Sequence, residues 1–199
     1  MKEDILEQLV DDYLQLQGYF TQHNLKFRPR PDHPDFDSQH DSNHSDIDVL
    51  GYHPRLRGPR RVMVVSCKSW QTGFPVCAII DELEHNKVRS GRPTWKAFRE
   101  LVCPKWSEAL IAAVESATGC RQFTYVTAAT KITGDRKEWE AYPPFREAMR
   151  GNPIKLLSLR EMLTAFTASL STTVANSELG RTLQLLKAAG YVDADHSPT

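Results

Sequence analysis

Two short segments carry residue types whose spacing suits chemistry on phosphate. One reads Ser45-Asp46-Ile47-Asp48-Val49-Leu50-Gly51, the other Arg61-Val62-Met63-Val64-Val65-Ser66-Cys67-Lys68-Ser69-Trp70. Both are strand-like. Side chains alternate faces along a strand, so Asp46 and Asp48 share one face, and Val64, Ser66 and Lys68 share another. If the segments pair as a hairpin with those faces aligned, Asp48, Ser66 and Lys68 converge. A carboxylate beside a lysine at the polar end of an apolar strand suits metal-assisted chemistry on phosphate. The competing structural reading is a salt bridge at a sheet end. Exposed pairs add little stability, however, and a bridge leaves Asp46 and Ser66 unexplained.

The elements that must position these residues follow from periodicity. Ile5, Leu6, Leu9, Val10, Tyr13, Leu14 and Leu16 predict an amphipathic helix over 3–17, closed by Gly18. At roughly 100° per residue, Glu7 falls on the rim of its apolar face, about 20° beyond Leu14. That position lets it reach a sheet edge; a solvated helix residue is the alternative. Strands are expected over 19–28, with a possible turn at His23-Asn24, and over 45–53, 61–69, 121–129 and 153–158. Helices are expected over 77–88, 94–117 (with a kink or break at Pro104), 135–150, 159–172 and 176–189, then a frayed tail. This order predicts an α/β protein with a central mixed sheet and helices on both faces, a three-layer α/β/α sandwich. The expected division is a domain over 1–175, followed by a C-terminal helix and tail over 176–199.

The chain has 199 residues with 25 basic and 25 acidic side chains. It is long enough for one well-buried core. The charge balance excludes a bulk basic signature, so any nucleic-acid contact must come from local patches. No run approaches the ~20 apolar residues of a membrane span, and the first residues lack a signal-peptide pattern, which together predict a cytoplasmic protein. Cys67, Cys77, Cys103 and Cys120 have no metal-site spacing and are expected as reduced thiols.

The helix glutamate, the strand acid and the strand-ending lysine resemble the restriction-endonuclease-like superfamily, the PD-(D/E)xK nucleases. Small members such as Holliday-junction resolvases are similar in layout, over roughly residues 1–130. The resemblance implies a restriction-endonuclease-like fold and phosphodiester hydrolysis of DNA in repair, recombination or defence, with Mg²⁺ or Mn²⁺ as cofactor. It assigns the catalytic roles to Asp48, Lys68, Ser66 and Glu7, and the metal to Asp48, Asp46, Ser66 and the carbonyl of Cys67. Small nucleases of this fold commonly act as homodimers. The chain departs from the pattern at Ser66, where the family carries its second acid. Either Asp46 or Glu7 supplies the missing charge, or the protein is an inactive nuclease-fold member that binds nucleic acid or a protein partner.

Two further features bear on this. Arg55, Arg57, Arg60 and Arg61 in the hairpin connection, with Lys87, Arg89 and Arg92 further on, are candidate phosphate contacts for a DNA-facing rim. The stretch 29–44, rich in aspartate and histidine, lacks a calcium-loop pattern and is expected as a mobile solvated loop beside the site.

Overall fold

The computed structural model describes residues 4–169, 175 and 177–191. In chain order the elements begin with α1 (Ile5–Leu16), β1 (Phe20–Phe27), α2 (Ser38–Asp41), β2 (Ser45–Tyr52), β3 (Val62–Lys68) and β4 (Phe74–Pro75). Then come α3 (Val76–Glu84), β5 (Val88–Arg89), β6 (Arg92–Pro93), α4 (Arg99–Val102), α5 (Pro104–Thr118), β7 (Thr124–Ala129) and β8 (Ile132–Thr133). The chain continues through α6 (Arg136–Glu140), α7 (Pro143–Ala148), β9 (Ile154–Ser158), α8 (Leu159–Ser169) and α9 (Glu178–Ala188). No described helix is long and apolar enough to cross a membrane.

The central sheet is mixed and has the strand order β1-β2-β3-β7-β9. The first three strands are antiparallel neighbours; β7 and β9 add in parallel. Every residue of β7 is buried, as expected for a parallel strand covered on both faces. One face carries Leu50, Val64, Tyr125 and Ile154 against α3, α5, α6 and α7. The other carries Val49, Val65 and Val126 against α1, α8 and, through Leu183, α9. The α/β class and the mixed central sheet are therefore as the pattern predicts.

The approach of α1 to the sheet depends on Gly51. A Cβ there would lie 3.1 Å from Leu14 Cδ1 and 3.2 Å from Tyr19 Cδ1, so only glycine lets the helix settle without displacing them. That seating carries Glu7 toward the sheet.

Local structure departs from the periodicity in three places. The expected helix over 77–88 stops at Glu84, and the chain turns into the β5–β6 hairpin. Ser90 and Gly91, with φ of 50° and 78°, form the two-residue connection of left-handed residues that suits hairpin twist. The stretch 94–117 becomes a 3₁₀ turn, α4 and α5. Pro104 starts α5, because the residue before a proline is held extended and Cys103 is so (φ −118°, ψ 111°). Two prolines likewise divide 135–150 into α6 and α7. The end of the helix expected over 159–172 and the tail expected from 193 lie outside the described residues.

The 29–44 segment is anchored rather than free, and holds α2. Asp41 is 2% exposed and accepts hydrogen bonds from Lys105 Nζ (2.6 Å), Trp106 Nε1 (3.2 Å) and the Asp37 backbone N–H (2.8 Å). A buried carboxylate so fully partnered ties the loop to α5. Asp41→Ala leaves the buried Trp106 Nε1–H without its acceptor and takes the carboxylate from the half-buried Lys105 ammonium, and is expected to cost about 3 kcal/mol in urea unfolding. Lys105→Ala/Asp41→Ala should cost less than the sum of the two single changes; strict additivity would show that the pair is not coupled.

Candidate functional site

The site forms where β2 and β3 part. Their antiparallel ladder runs from Tyr52–Val62 to Val49–Val65 and ends there. On the other side of β2, the β1 ladder skips from His23–Val49 to Leu25–Ile47, and the residue between, Asn24, has a φ of 53°. Asp48 sits at this irregularity. Ile47 consequently packs in the same core as Leu50, which regular alternation would forbid. Freed from the ladder, the Asp48 carboxylate accepts the Cys67 backbone N–H through Oδ2 at 2.5 Å.

Ser66 and Lys68 project from the end of β3 toward the same place, so the expected convergence of Asp48, Ser66 and Lys68 is present. Lys68 Nζ donates to Ser66 Oγ at 2.9 Å and lies 5.3 Å from the Phe98 ring centroid. Ser66 is also hydrogen-bonded to the phenol of Tyr125, which in turn donates to Glu100 Oε1 at 2.5 Å. Because Ser66 Oγ accepts from Lys68 and the Tyr125 proton goes to Glu100, the Ser66 proton is left for the Tyr125 oxygen. The result is a directed chain: Lys68 to Ser66 to Tyr125 to Glu100. Tyr125 and Glu100 are buried, at 1% and 6% exposure.

Glu100 was not singled out by the sequence. Nothing in its spacing distinguishes it from neighbouring surface acids; its place is fixed by the hydroxyl of Tyr125 on β7, which donates to it from 25 residues away in sequence. It brings a buried carboxylate to the side of the site where Ser66 stands.

The electrostatics reflect crowded acids. Burial pushes the Asp48 carboxyl up to about 6, with Asp46 and Glu100 adding to the rise and the Cys67 N–H and Lys68 opposing it. Burial pushes Glu7 up to about 7, reinforced by Asp48, Asp4 and Asp46. Glu7 is thus electrostatically part of the site, as its rim position on α1 suggests. Asp46 is exposed, within range of both Asp48 and Glu7. The Cys67 thiol is driven well up by burial, then by Asp48 and Glu7, so it remains protonated at neutral pH and is no nucleophile. Its contribution is the backbone.

The predicted basic rim divides. Arg60 and Arg61 lie in the turn that precedes β3, whereas Lys68 ends it. Six strand residues separate them by roughly 20 Å. Arg61 stacks over Tyr52 at 4.9 Å, and Arg60 gives its carbonyl to the Tyr19 hydroxyl. Arg55 and Arg57, in the same connection, are exposed at that far end. These four do not border the site. A hairpin connection necessarily lies one strand-length from the strand's other end, which is the reason for the correction. Lys87 is paired with Asp81 at 2.5 Å and Arg89 with Glu82 at 2.7 Å. Arg92 has no ion-pair partner among the described residues and lines a groove next to Trp70.

Neither protein-family models, curated proteins nor solved structures include a match to this chain.

The raised Asp48 pKa has a definite sign. Between about 3.8, its ordinary value, and about 6, the folded chain holds a proton that the unfolded chain has lost. Stability from this group is therefore full below that window and is lost as pH rises through it. Asp48→Asn is expected to exceed wild type by about 2 kcal/mol in urea unfolding at pH 8 and to match it near pH 3.5. A difference that stayed constant with pH would remove Asp48 as the strained acid.

Proposed function

We propose that this chain is a metal-dependent nuclease of restriction-endonuclease-like fold that hydrolyses phosphodiester bonds of DNA. The observation that carries the reading is the convergence of Asp48, Ser66 and Lys68 at the open end of β3, with the buried Glu100 close enough to raise the Asp48 pKa.

The donor set suits a hard divalent cation. Among the described residues no three His, Cys, Asp or Glu side chains form a ready metal cage. Mg²⁺ does not need one, since it is often held by one or two carboxylates together with water and substrate phosphate. Asp48 and Glu100 would hold Mg²⁺ or Mn²⁺, with the Cys67 carbonyl and the nearby Asp46 as further oxygen donors. Bound there, the ion would polarise a phosphate and acidify a water molecule.

The chain's own groups have separate tasks. Ser66 brings no charge; its hydroxyl holds the Lys68 ammonium, which offsets charge developing on the phosphorus oxygens. Tyr125 holds Glu100 in place and ties it to Ser66. Glu7, with a pKa of about 7, is suited to exchanging a proton with a water molecule at neutral pH.

A second reading, an inactive nuclease-fold protein that binds nucleic acid or a protein partner, is favoured by one observation. Ser66 is committed to Lys68 and Tyr125, which leaves β3 without its expected acid. Cleavage assays on linear, single-stranded and four-way-junction DNA with Mg²⁺ or Mn²⁺ separate the two. The nuclease reading expects metal-dependent cutting that falls at least ~100-fold in Lys68→Ala and in Glu100→Gln. It also expects Mg²⁺ to raise the urea midpoint of wild type, but not of Asp48→Asn, at pH 8. A folded protein that shifts DNA, cuts none of these substrates and gains no stability from Mg²⁺ belongs to the second reading.

A further inference from the structure

Beside the site, Trp70, Gln71 and Thr72 after β3, the β5–β6 hairpin and the turn into α4 enclose a groove of about 1070 Å³. Four of its lining residues are cationic, Arg89, Arg92, Lys96 and Arg99, and none is acidic. In a chain with 25 acidic and 25 basic residues, that is a local segregation of charge. The hairpin wall is rigidly held, because Glu82 of α3 takes both Arg89 (2.7 Å) and Thr94 Oγ1 (2.8 Å). That pairing neutralises Arg89. Arg92, Lys96 and Arg99 have no ion-pair partner among the described residues, and Arg99 is steadied by its guanidinium lying 4.5 Å from the Trp106 ring centroid. Three uncompensated cations on a fixed frame attract a polyanion.

The groove adjoins the candidate site. Phe98 lies in sequence between two groove residues, Ala97 and Arg99, and its ring meets both Trp70 at 5.9 Å and Lys68 Nζ at 5.3 Å. Its neighbour Glu100 belongs to the site. A strand whose phosphates follow Arg92, Lys96 and Arg99 would therefore arrive at Lys68. The volume is that of a pocket for a moderate-sized ligand, which takes a few linked nucleotides but not a duplex whose major groove alone is about 12 Å wide.

We propose that this groove is a track for single-stranded nucleic acid, in which Arg92, Lys96 and Arg99 hold successive phosphates and deliver the strand to Lys68. The proposal deepens the nuclease reading and rests on it for the strand's destination, but binding can be measured without cleavage. The probe is a fluorescein-labelled 12-nucleotide oligothymidylate, followed by anisotropy in EDTA over a range of salt, with a 12-base-pair duplex and polyglutamate as competitors. The exposed pair Arg92→Ala/Lys96→Ala is expected to weaken oligothymidylate binding at least tenfold and to reduce the slope of log affinity against log salt by about 1.4, from two lost single-strand phosphate contacts. Arg55→Ala/Arg57→Ala, at the far end of β3, should leave both unchanged.

Unaltered binding in Arg92→Ala/Lys96→Ala overturns the track, as does equal competition by polyglutamate or by the duplex. Loss of binding in that variant, in a protein that cuts nothing with metal, keeps the track and removes the nuclease reading. Metal-dependent cutting with unaffected binding in the same variant does the reverse.

Discussion

The hydrogen bond from the Cys67 N–H to the Asp48 carboxylate is the contact on which the rest of the site depends. Where β2 and β3 separate, each strand exposes backbone groups that the ladder no longer serves, and a buried N–H without an acceptor is costly. Asp48 answers that need at the first position beyond the last ladder pair. The same contact fixes the carboxylate in a desolvated place beside the end of β3. Structural need and chemical position coincide there.

Around that point the fold gathers more negative than positive charge. Asp46 and Glu100 act on Asp48, and Asp48, Asp4 and Asp46 act on Glu7, while Lys68 on β3 is the cation that opposes the rise at Asp48. Burial raises the cost of ionising Asp48 and Glu7, so the arrangement is strained at neutral pH and is relieved by protons or by a cation. Such strain is common where carboxylates are kept for binding rather than for stability. Ser66 gains a role in this setting. As a neutral hydroxyl it links Lys68 to Tyr125, and through Tyr125 to Glu100, without adding a further charge to the crowd.

The aromatic residues behind the site act as its frame. Trp70, Phe74, Phe98, Trp139 and Phe145 meet ring to ring at centroid separations from 4.7 to 6.0 Å. Phe98, fully buried among them, underlies Lys68 and stands between the acidic site and the basic groove. Two surfaces of opposite charge thus adjoin across one rigid, apolar wall.

Asp48, Ser66 and Lys68 were legible because their meeting needs only strand alternation and a hairpin between consecutive strands, both local rules. Glu7 was legible as a rim residue of an amphipathic helix. The β5–β6 hairpin was not, since two-residue strands leave no periodicity and only Ser90-Gly91 marks the turn. The misplacement of Arg55, Arg57, Arg60 and Arg61 has a simple geometric origin: proximity in sequence to a strand does not say which end of it a residue joins. Sequence by itself therefore determined the α/β class, the strand that carries each polar residue, and the residue types available for chemistry. Tertiary structure alone decided that Glu100 and Tyr125 complete the site and that Arg92, Lys96 and Arg99 share a groove beside it. Those neighbours come from distant segments, and what joins them is side-chain contact over long sequence separations, Tyr125 with Glu100 and Trp70 with Phe98, which no local pattern encodes.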